Sequence, residues 1–235
     1  MMRDLVSILS HIHQQHIIHR DIKPENILLL SGDNDKKKVK LADFGSSCVL
    51  QGEDEKVSRM IGTLEYFAPE MLAEEPYGKA VDMWALGVTC FAMLTARCVF
   101  YDEDEEEKWN QVMRGDLRKV DELVGFSEES KDFMRRLLTV DPDQRMTALA
   151  AKDHPWLNSS LLPVKSKAAI PSPFIQRTNE VSNKSYISPF KANRMLSPIN
   201  GNSAKPKPEV DKLNHVPKDM SAVKKDLNFL LEPLF

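Results

Sequence analysis

Two short stretches of the sequence bring together side chains that can bind cations and exchange protons. The shorter is Asp43-Phe44-Gly45, and the longer is His19-Arg20-Asp21-Ile22-Lys23-Pro24-Glu25-Asn26. Carboxylate and amide oxygens are the ligands that a hard cation such as Mg²⁺ prefers. Either stretch alone is weak evidence of a function, so its meaning depends on the elements that would position it.

The hydrophobic pattern predicts short regular elements around both stretches. Apolar residues recur at i, i+3, i+4 and i+7 over residues 3–16, which predicts an amphipathic helix. Residues 27–30 and 39–42 predict two short strands that pair across the turn Ser31-Gly32-Asp33-Asn34. Residues 43–78 have no sustained period and predict a long ordered loop, a feature that is usually functional in a compact domain.

The middle of the chain is predicted to be mainly helical. Residues 79–96 are apolar on nearly every face, which is typical of a fully buried helix. Further helices are predicted over residues 105–114, 128–139 and 147–153.

Other short motifs follow in a fixed order along the same region. They are Ala68-Pro69-Glu70, a D-x-W-x-x-G pattern from Asp82 to Gly87, Arg145 after Asp141-Pro142-Asp143-Gln144, and His154-Pro155-Trp156. Taken together in this order and spacing, the motifs resemble the protein kinase family over about residues 3–157. The resemblance implies that residues 1–157 form the C-terminal lobe of a kinase domain. Such a lobe is mainly α, with a small β hairpin that carries the catalytic and metal-binding loops.

The resemblance also implies roles in phosphoryl transfer from ATP. Asp21 would accept or orient the proton of the substrate hydroxyl. Asn26 and Asp43 would hold Mg²⁺ against the phosphates, and Lys23 would steady the transferred group. Leu28 matches the residue that packs beneath the adenine ring. Catalytic and nucleotide-binding roles are therefore expected for this set of side chains: Asp21, Lys23, Asn26, Leu28 and Asp43.

Two positions point to serine and threonine as acceptors. Lys23 and Thr63, the latter in a Gly-Thr-x-x-Tyr pattern, match serine/threonine kinases rather than tyrosine kinases. Glu25 has two readings, a contact with a basic residue of the substrate or a solvated surface glutamate. Residues 102–107 are consecutive acids that either steer basic substrates or form a solvated loop.

Further matches imply structural or regulatory roles. Glu70 and Arg145 match a buried ion pair that clamps the activation segment, which runs from Asp43 to Glu70. Asp82 matches the residue that fixes the backbone around His19 and Arg20.

Regulation by phosphorylation is a separate hypothesis. Arg20 usually pairs with a phosphorylated residue at the position that Arg59 occupies here, so the neighbouring Ser58 is the candidate acceptor. Ala96 and Val99 replace the glycine and proline that are common in relatives, which leaves the shape of that loop open.

One feature of the family is missing from the sequence. Its nine glycines are never close enough for a G-x-G pattern, so neither a phosphate-covering glycine loop nor its strand lysine is recognisable. Three readings follow: part of a complete serine/threonine kinase, an inactive kinase-lobe binding module that competes for kinase partners, or a lobe completed by a separate chain.

Composition separates an acidic body from a basic tail. Residues 163–235 hold 12 Lys and Arg against 6 Asp and Glu, whereas the remainder holds 20 against 29. Residues 158–235 are rich in Ser, Asn, Pro and Lys, which is typical of disorder. A short helix is one reading of residues 227–231. The Ser-Pro pairs at Ser172, Ser188 and Ser197 are candidate phosphorylation sites.

These features limit the expected partners and location. No apolar run is long enough to span a membrane, no secretory signal is recognisable, and three cysteines without a C-x-x-C pair suit a reducing compartment. A cytoplasmic or nuclear location is therefore expected.

The motifs are most similar to the calcium/calmodulin-dependent kinase group. Residues 158–176 lack a basic amphipathic pattern, so calmodulin is not expected to bind. Nucleic acid is not an expected partner either, because aromatic residues are few in the tail.

Overall fold

The computed structural model describes residues 1–30 and 38–158, which form a mainly helical body with two small sheets. The helices are α1 (Met2–Gln14), α2 (Pro69–Leu72), α3 (Ala80–Thr95), α4 (Glu105–Arg114), α5 (Arg118–Asp121), α6 (Glu128–Leu137), α7 (Ala148–Lys152) and α8 (Pro155–Asn158). The strands are β1 (Ile17–Ile18), β2 (Ile27–Leu30), β3 (Lys38–Leu41) and β4 (Cys48–Val49). Single 3₁₀ turns cover Pro24–Asn26, Phe44–Ser46 and Leu64–Tyr66.

The core forms around α3. A Cβ built on Gly87 would lie 2.8 Å from the side chain of Leu138, so the glycine lets α3 approach the end of α6 closely. The predicted helix over residues 79–96 is confirmed, but its full burial is wrong for the last turn. Residues 92–95 are only half-buried, because the close packing involves the earlier turns of α3.

Two antiparallel sheets hold the loops that carry the candidate site. The predicted pairing of the first sheet is confirmed, since β2 pairs with β3 from Ile27 opposite Leu41 to Leu30 opposite Lys38. Its predicted turn falls among residues 31–37, outside the described residues. In the second sheet, β1 pairs with β4 and ties the loop after Asp43 to the end of α1.

The longer helices were predictable, as were β2 and β3, whereas α2, α5, α8, β1 and β4 were not. Helix α4 has its predicted bounds, with the Asp104 side chain capping its start and Gly115 in the left-handed conformation at its end. Helices α1, α6 and α7 are also confirmed, with ends that differ by one or two residues. The uniform loop predicted over residues 43–78 is wrong in part, because it contains β4 and α2. At two and four residues, β4 and α2 are too short to show a period, whereas β2 was recognised from its continuous apolar run.

Several predictions lie outside the described residues. They concern the tail beyond Asn158, its helix at residues 227–231 and its three Ser-Pro pairs, and they stay predictions. In the part of the chain that is described, no helix is long and apolar enough to cross a membrane.

Candidate active site

Three side chains from two distant loops meet at Asp21. Thr63 Oγ1 donates to Asp21 Oδ1 at 2.6 Å across 42 residues of sequence. Lys23 Nζ donates to Thr63 Oγ1 at 2.7 Å and lies 2.9 Å from Asp21 Oδ2. The structure therefore brings together a carboxylate, an ammonium group and a hydroxyl that the sequence analysis had singled out separately. We call Asp21, Lys23, Thr63 and Asn26 the Asp21 cluster.

The Asp21 carboxylate is nearly buried and still favours ionisation. Burial by itself opposes the charge, but hydrogen bonds from Thr63, Lys23 and Asn26 outweigh it and hold the pKa of Asp21 below its usual range. The carboxylate is therefore negatively charged at neutral pH, and Lys23 provides the compensating positive charge beside it.

Asn26 and Asp43 lie on two loops that a backbone hydrogen bond joins. The Asn26 amide donates to the Asp21 backbone oxygen at 2.7 Å and to Asp21 Oδ2 at 3.0 Å, which leaves its own oxygen for another partner. The Ala42 N–H donates to the Asn26 carbonyl at 2.8 Å, so the neighbouring Asp43 is held close to that loop. Asp43 itself is exposed and left-handed, and its Oδ1 accepts from Gly45 N–H.

The donor set fits a hard cation only if the amide takes part. Within residues 1–30 and 38–158, no group of three or more His, Cys, Asp and Glu side chains is arranged to hold a metal ion. Asn26 and Asp43 would instead offer one amide and one carboxylate, which suits Mg²⁺ bound mainly through phosphates and water.

His19 is a positioning residue to which sequence reasoning gave no role. It is fully buried, and burial lowers its pKa although nearby carboxylates act in the opposite direction. The neutral ring donates from Nε2 to the Ala42 carbonyl at 3.0 Å and accepts from the Asp21 N–H at Nδ1. It also packs edge-on against Phe44, so it joins the Asp21 loop to the Asp43 loop.

Asp82, in α3, anchors the backbone of the loop that begins at His19. Its carboxylate accepts from the backbone N–H groups of His19 at 2.9 Å and Arg20 at 2.8 Å. The side chain of His13 in α1 lies 2.9 Å from Asp82 Oδ2. His13 had not been singled out, although its place four residues after Leu9 on the apolar face of α1 is a signal for a buried histidine with a partner.

Arg20 and Ser58 are not brought together by a direct contact. The Arg20 guanidinium donates to the backbone oxygens of Ser46 at 2.5 Å and Ser47 at 3.2 Å. Ser58 is exposed in the activation segment.

Glu70 and Arg145 form a bidentate, buried pair. The two hydrogen bonds measure 2.7 and 2.9 Å, and Arg145 also donates to backbone oxygens of residues 80, 139 and 140. This pair joins α2 to the segment that follows α6, and every guanidinium nitrogen has an acceptor.

Glu25 and Leu28 are both exposed. Glu25 is close enough to Tyr66 to act on it electrostatically. Leu28 is 45% exposed on β2, opposite Lys40. Both side chains are therefore accessible to a ligand.

Comparison with known sequences gives this geometry a family. The profile of the protein kinase domain matches residues 1–157, the region that contains every described site residue. The chain belongs to the protein kinase family. It is similar to serine/threonine kinases of the calcium/calmodulin-dependent group, as the motifs had indicated.

Three relatives illustrate the likeness. The calcium/calmodulin-dependent protein kinase type 1 of Macrobrachium nipponense is 38% identical over 165 residues, which cover 68% of this chain and 46% of the relative. The type II alpha chain of Drosophila melanogaster is 38% identical over 157 residues, 66% of this chain and 29% of the relative. The type II subunit delta of Oryctolagus cuniculus is 38% identical over 158 residues, which cover 67% of this chain and 30% of the relative. The chain thus spans less than half the length of each kinase.

Proposed function

We propose that the protein is a serine/threonine protein kinase that transfers the γ-phosphoryl group of ATP to a hydroxyl of a protein substrate. The observation that carries this proposal is the ionised Asp21 held between Lys23 and Thr63, with the Asn26 amide nitrogen also donating to its carboxylate. Phosphoryl transfer requires positioned charges more than covalent chemistry from the protein.

Asp21 is the group that receives the proton. Its carboxylate is charged and fixed by three donors, so it can accept a hydrogen bond from a serine or threonine hydroxyl and orient the oxygen for attack. His19 and Asp82 fix the backbone from residue 19 to Asp21, and they act through its position rather than by contact with the substrate.

Lys23 neutralises charge on the transferred group. Its ammonium group is already paired with Asp21 and partly accessible, so it can move between the carboxylate and a phosphoryl oxygen with little change in geometry. Thr63 keeps Lys23 and Asp21 aligned, since its hydroxyl donates to one and accepts from the other.

Asn26 and Asp43 would hold Mg²⁺. Bound there, the ion would offset the negative charge of the phosphates. Leu28 would offer an accessible apolar surface for the adenine ring.

A basic substrate fits the charges around the cluster. Glu25 is exposed near the site, and the acidic residues from Asp102 to Glu107 begin at a loop and continue into α4. We propose that Glu25 contacts a basic side chain of the substrate and that the acidic run assists its approach.

The described residues correspond to the C-terminal lobe of the kinase domain. The 235 residues contain no G-x-G pattern, so the proposed activity depends on a phosphate-covering loop and a strand lysine from outside them. The activity is therefore assigned to the whole protein that contains this lobe.

The test is phosphotransfer by the full-length protein. We expect labelled phosphate to pass from ATP to a serine peptide, and Asp21→Asn to lower kcat by about 100-fold or more. Asp43→Asn should abolish the Mg²⁺-dependent reaction, whereas Asp153→Asn, an exposed acid in the loop after α7, should not change it. A folded full-length protein without phosphotransfer would overturn the proposal and favour the inactive binding module that competes for kinase partners.

A further inference from the structure

Tyr77 fastens the activation segment from a position outside it. The residue lies in the loop between α2 and α3 and is 2% exposed. Its backbone pairs with Val57 in an isolated antiparallel bridge, with N–H to oxygen distances of 2.9 and 2.8 Å. Residues 57 and 77 are thus joined by the main chain, independently of any side chain.

The Tyr77 hydroxyl adds a second attachment. It donates to the backbone carbonyl of Arg59, and it also interacts with the side chain of Arg20. Burial raises the pKa of Tyr77, although Arg20 acts in the opposite direction, so the hydroxyl remains a neutral donor at physiological pH.

The held residues lead directly to the Asp21 cluster. Arg59 is separated from Gly62 only by Met60 and Ile61, and a side chain on Gly62 would collide with the Arg20 carbonyl. Thr63 follows and donates to Asp21. Tyr77 at one end and the Asp21 cluster at the other therefore fix the short span that faces a protein substrate.

Two cations near this attachment already have partners within the protein. The Arg20 guanidinium already donates to the carbonyls of Ser46 and Ser47. Glu53 in the same segment is paired with Lys79 at 2.6 Å, which ties the segment to the start of α3. Arg20 and Lys79 therefore already have acceptors without a phosphate, whereas Lys56 and Arg59, which flank Ser58, are exposed.

We propose that Tyr77 is a positioning residue for protein-substrate binding, and that its hydroxyl fastens residues 57–59 without phosphorylation of Ser58. The effect on substrate rests on the proposed kinase function, whereas the fastening itself does not. The proposal differs from the hypothesis of activation at Ser58, because the segment is held by groups that are present at all times.

The first experiment measures the fastening without using activity. In the full-length protein, trypsin cleavage after Lys56 and Arg59 should become about five-fold faster in Tyr77→Phe, the effect of losing one hydrogen bond. Tyr101→Phe changes an exposed tyrosine and should leave these cleavage rates unchanged. Cleavage after Arg114 in α4 provides the reference, and its rate should be the same in both variants as in the wild type. An unchanged rate after Arg59 in Tyr77→Phe would overturn the proposal.

A second variant covers the case in which Tyr77→Phe fails to fold. Val57→Pro removes the amide that donates to the Tyr77 carbonyl but leaves the buried ring in place. It should also accelerate cleavage after Arg59 while cleavage after Arg114 stays the same. Equal protection of Arg59 in Val57→Pro and wild type would contradict the fastening.

Two further measurements distinguish the effect of Tyr77 from effects of phosphorylation and of ATP binding. Phosphatase treatment of the wild type should leave cleavage after Arg59 unchanged, and an acceleration equal to that of Tyr77→Phe would overturn the phosphate-free part. In Tyr77→Phe, the KM for a serine peptide should rise about five-fold while the KM for ATP does not change. A larger change in the KM for ATP would contradict a role on the substrate side. If the wild type transfers no phosphate, the kinase proposal fails and the cleavage result still stands.

Discussion

Gly62 is a position where only glycine fits, because its φ is +123° and a Cβ would collide with the Arg20 carbonyl oxygen. We expect Gly62→Ala to reduce the free energy of unfolding by about 2 kcal/mol, and to weaken the Thr63 contact with Asp21. Gly52→Ala is the matched control, since nothing lies within 4 Å of a Cβ at that glycine. Urea unfolding of both variants tests the difference, and equal stabilities would show that the Arg20 backbone can move aside.

Ala96 ends α3 in the left-handed conformation, with φ of 54°. Glycine adopts this conformation more readily than alanine, because it has no Cβ. Ala96→Gly should raise the free energy of unfolding by about 1 kcal/mol, because a Cβ is disfavoured in this conformation.

The control for Ala96 is Ala92→Gly, one turn earlier in the same helix. It should lower the free energy of unfolding by about 1 kcal/mol, since glycine weakens a helix interior. Thermal unfolding of the two variants in parallel would show opposite shifts, and a destabilised Ala96→Gly would contradict the strain at residue 96.

Residue identities in the Asp21 cluster were predictable from motif spacing, but their contacts were only partly so. Thr63 was singled out as a match to serine/threonine kinases, but its contact with Asp21 was not predicted. The contact of His13 with Asp82 joins residues 69 positions apart, and Tyr77 reaches Arg59 through a backbone carbonyl. No local pattern encodes such pairs, because they depend on how the helices and the loop pack in three dimensions.

At the scale of elements, Asp82 connects α1, α3 and the loop that begins at His19. Burial opposes the charge on Asp82, but the His13 side chain and the His19 N–H outweigh it and hold the pKa of Asp82 below its ordinary value of 3.8. The stability that this anion contributes is therefore complete above pH 3.8 and is lost as pH falls through the lower folded-state pKa.

Asp82→Asn tests this dependence. At pH 7 the variant should lose about 3 kcal/mol of unfolding free energy, because the donors around residue 82 lose a charged acceptor. The difference from wild type should shrink as pH falls below 3.8. Asp54→Asn, an exposed acid, provides the reference for general acid effects in urea unfolding at each pH. A pH-independent difference would contradict the role of the charge.

The pair of Glu70 and Arg145 links α2 to the segment after α6. Glu70→Ala leaves the buried guanidinium without its carboxylate, so we expect a loss of about 3–5 kcal/mol in unfolding free energy. Arg136→Ala, which breaks an exposed pair with Asp132, should cost less than about 0.5 kcal/mol. Chemical unfolding compares the two, and similar costs would mean that burial does not strengthen the Glu70 contact.

Helices were predictable where they were long enough to show a period, and the four-residue strands β2 and β3 were also predicted. Helix α4 combines a capping Asp104, an amphipathic pattern and a terminal Gly115, so its bounds follow from the sequence. Helix α2 has only Pro69 at its start as a signal, and β4 consists of two residues. These short elements form because they pair with or pack against distant parts of the chain.

At the scale of the whole molecule, the chain has an acidic first part and a basic last part. If Glu25 and the acidic run bind basic substrates, the KM of the full-length kinase for a lysine-rich serine peptide should rise several-fold between about 50 and 300 mM salt. A neutral serine peptide of equal length should show little change. Equal salt dependence for both peptides would contradict the electrostatic contribution.

The whole-molecule architecture was predictable only through the family. Hydrophobic periods predict a mainly helical body, but they do not state that α1 packs near α7 or that β1 pairs with β4. Those arrangements follow once the motifs identify the kinase domain, since each motif has a fixed place in that fold.

The guanidinium of Arg3 in the first turn of α1 donates to the carbonyl of Leu157 in α8. This contact therefore joins the first and last described helices, α1 and α8. A short peptide linker between residues 1 and 158 would close the domain into a ring, and new chain ends could then be opened at an exposed loop such as Val124-Gly125. For the same reason, tension applied between residues 1 and 158 would load the Arg3 contact before it reached the Asp21 cluster.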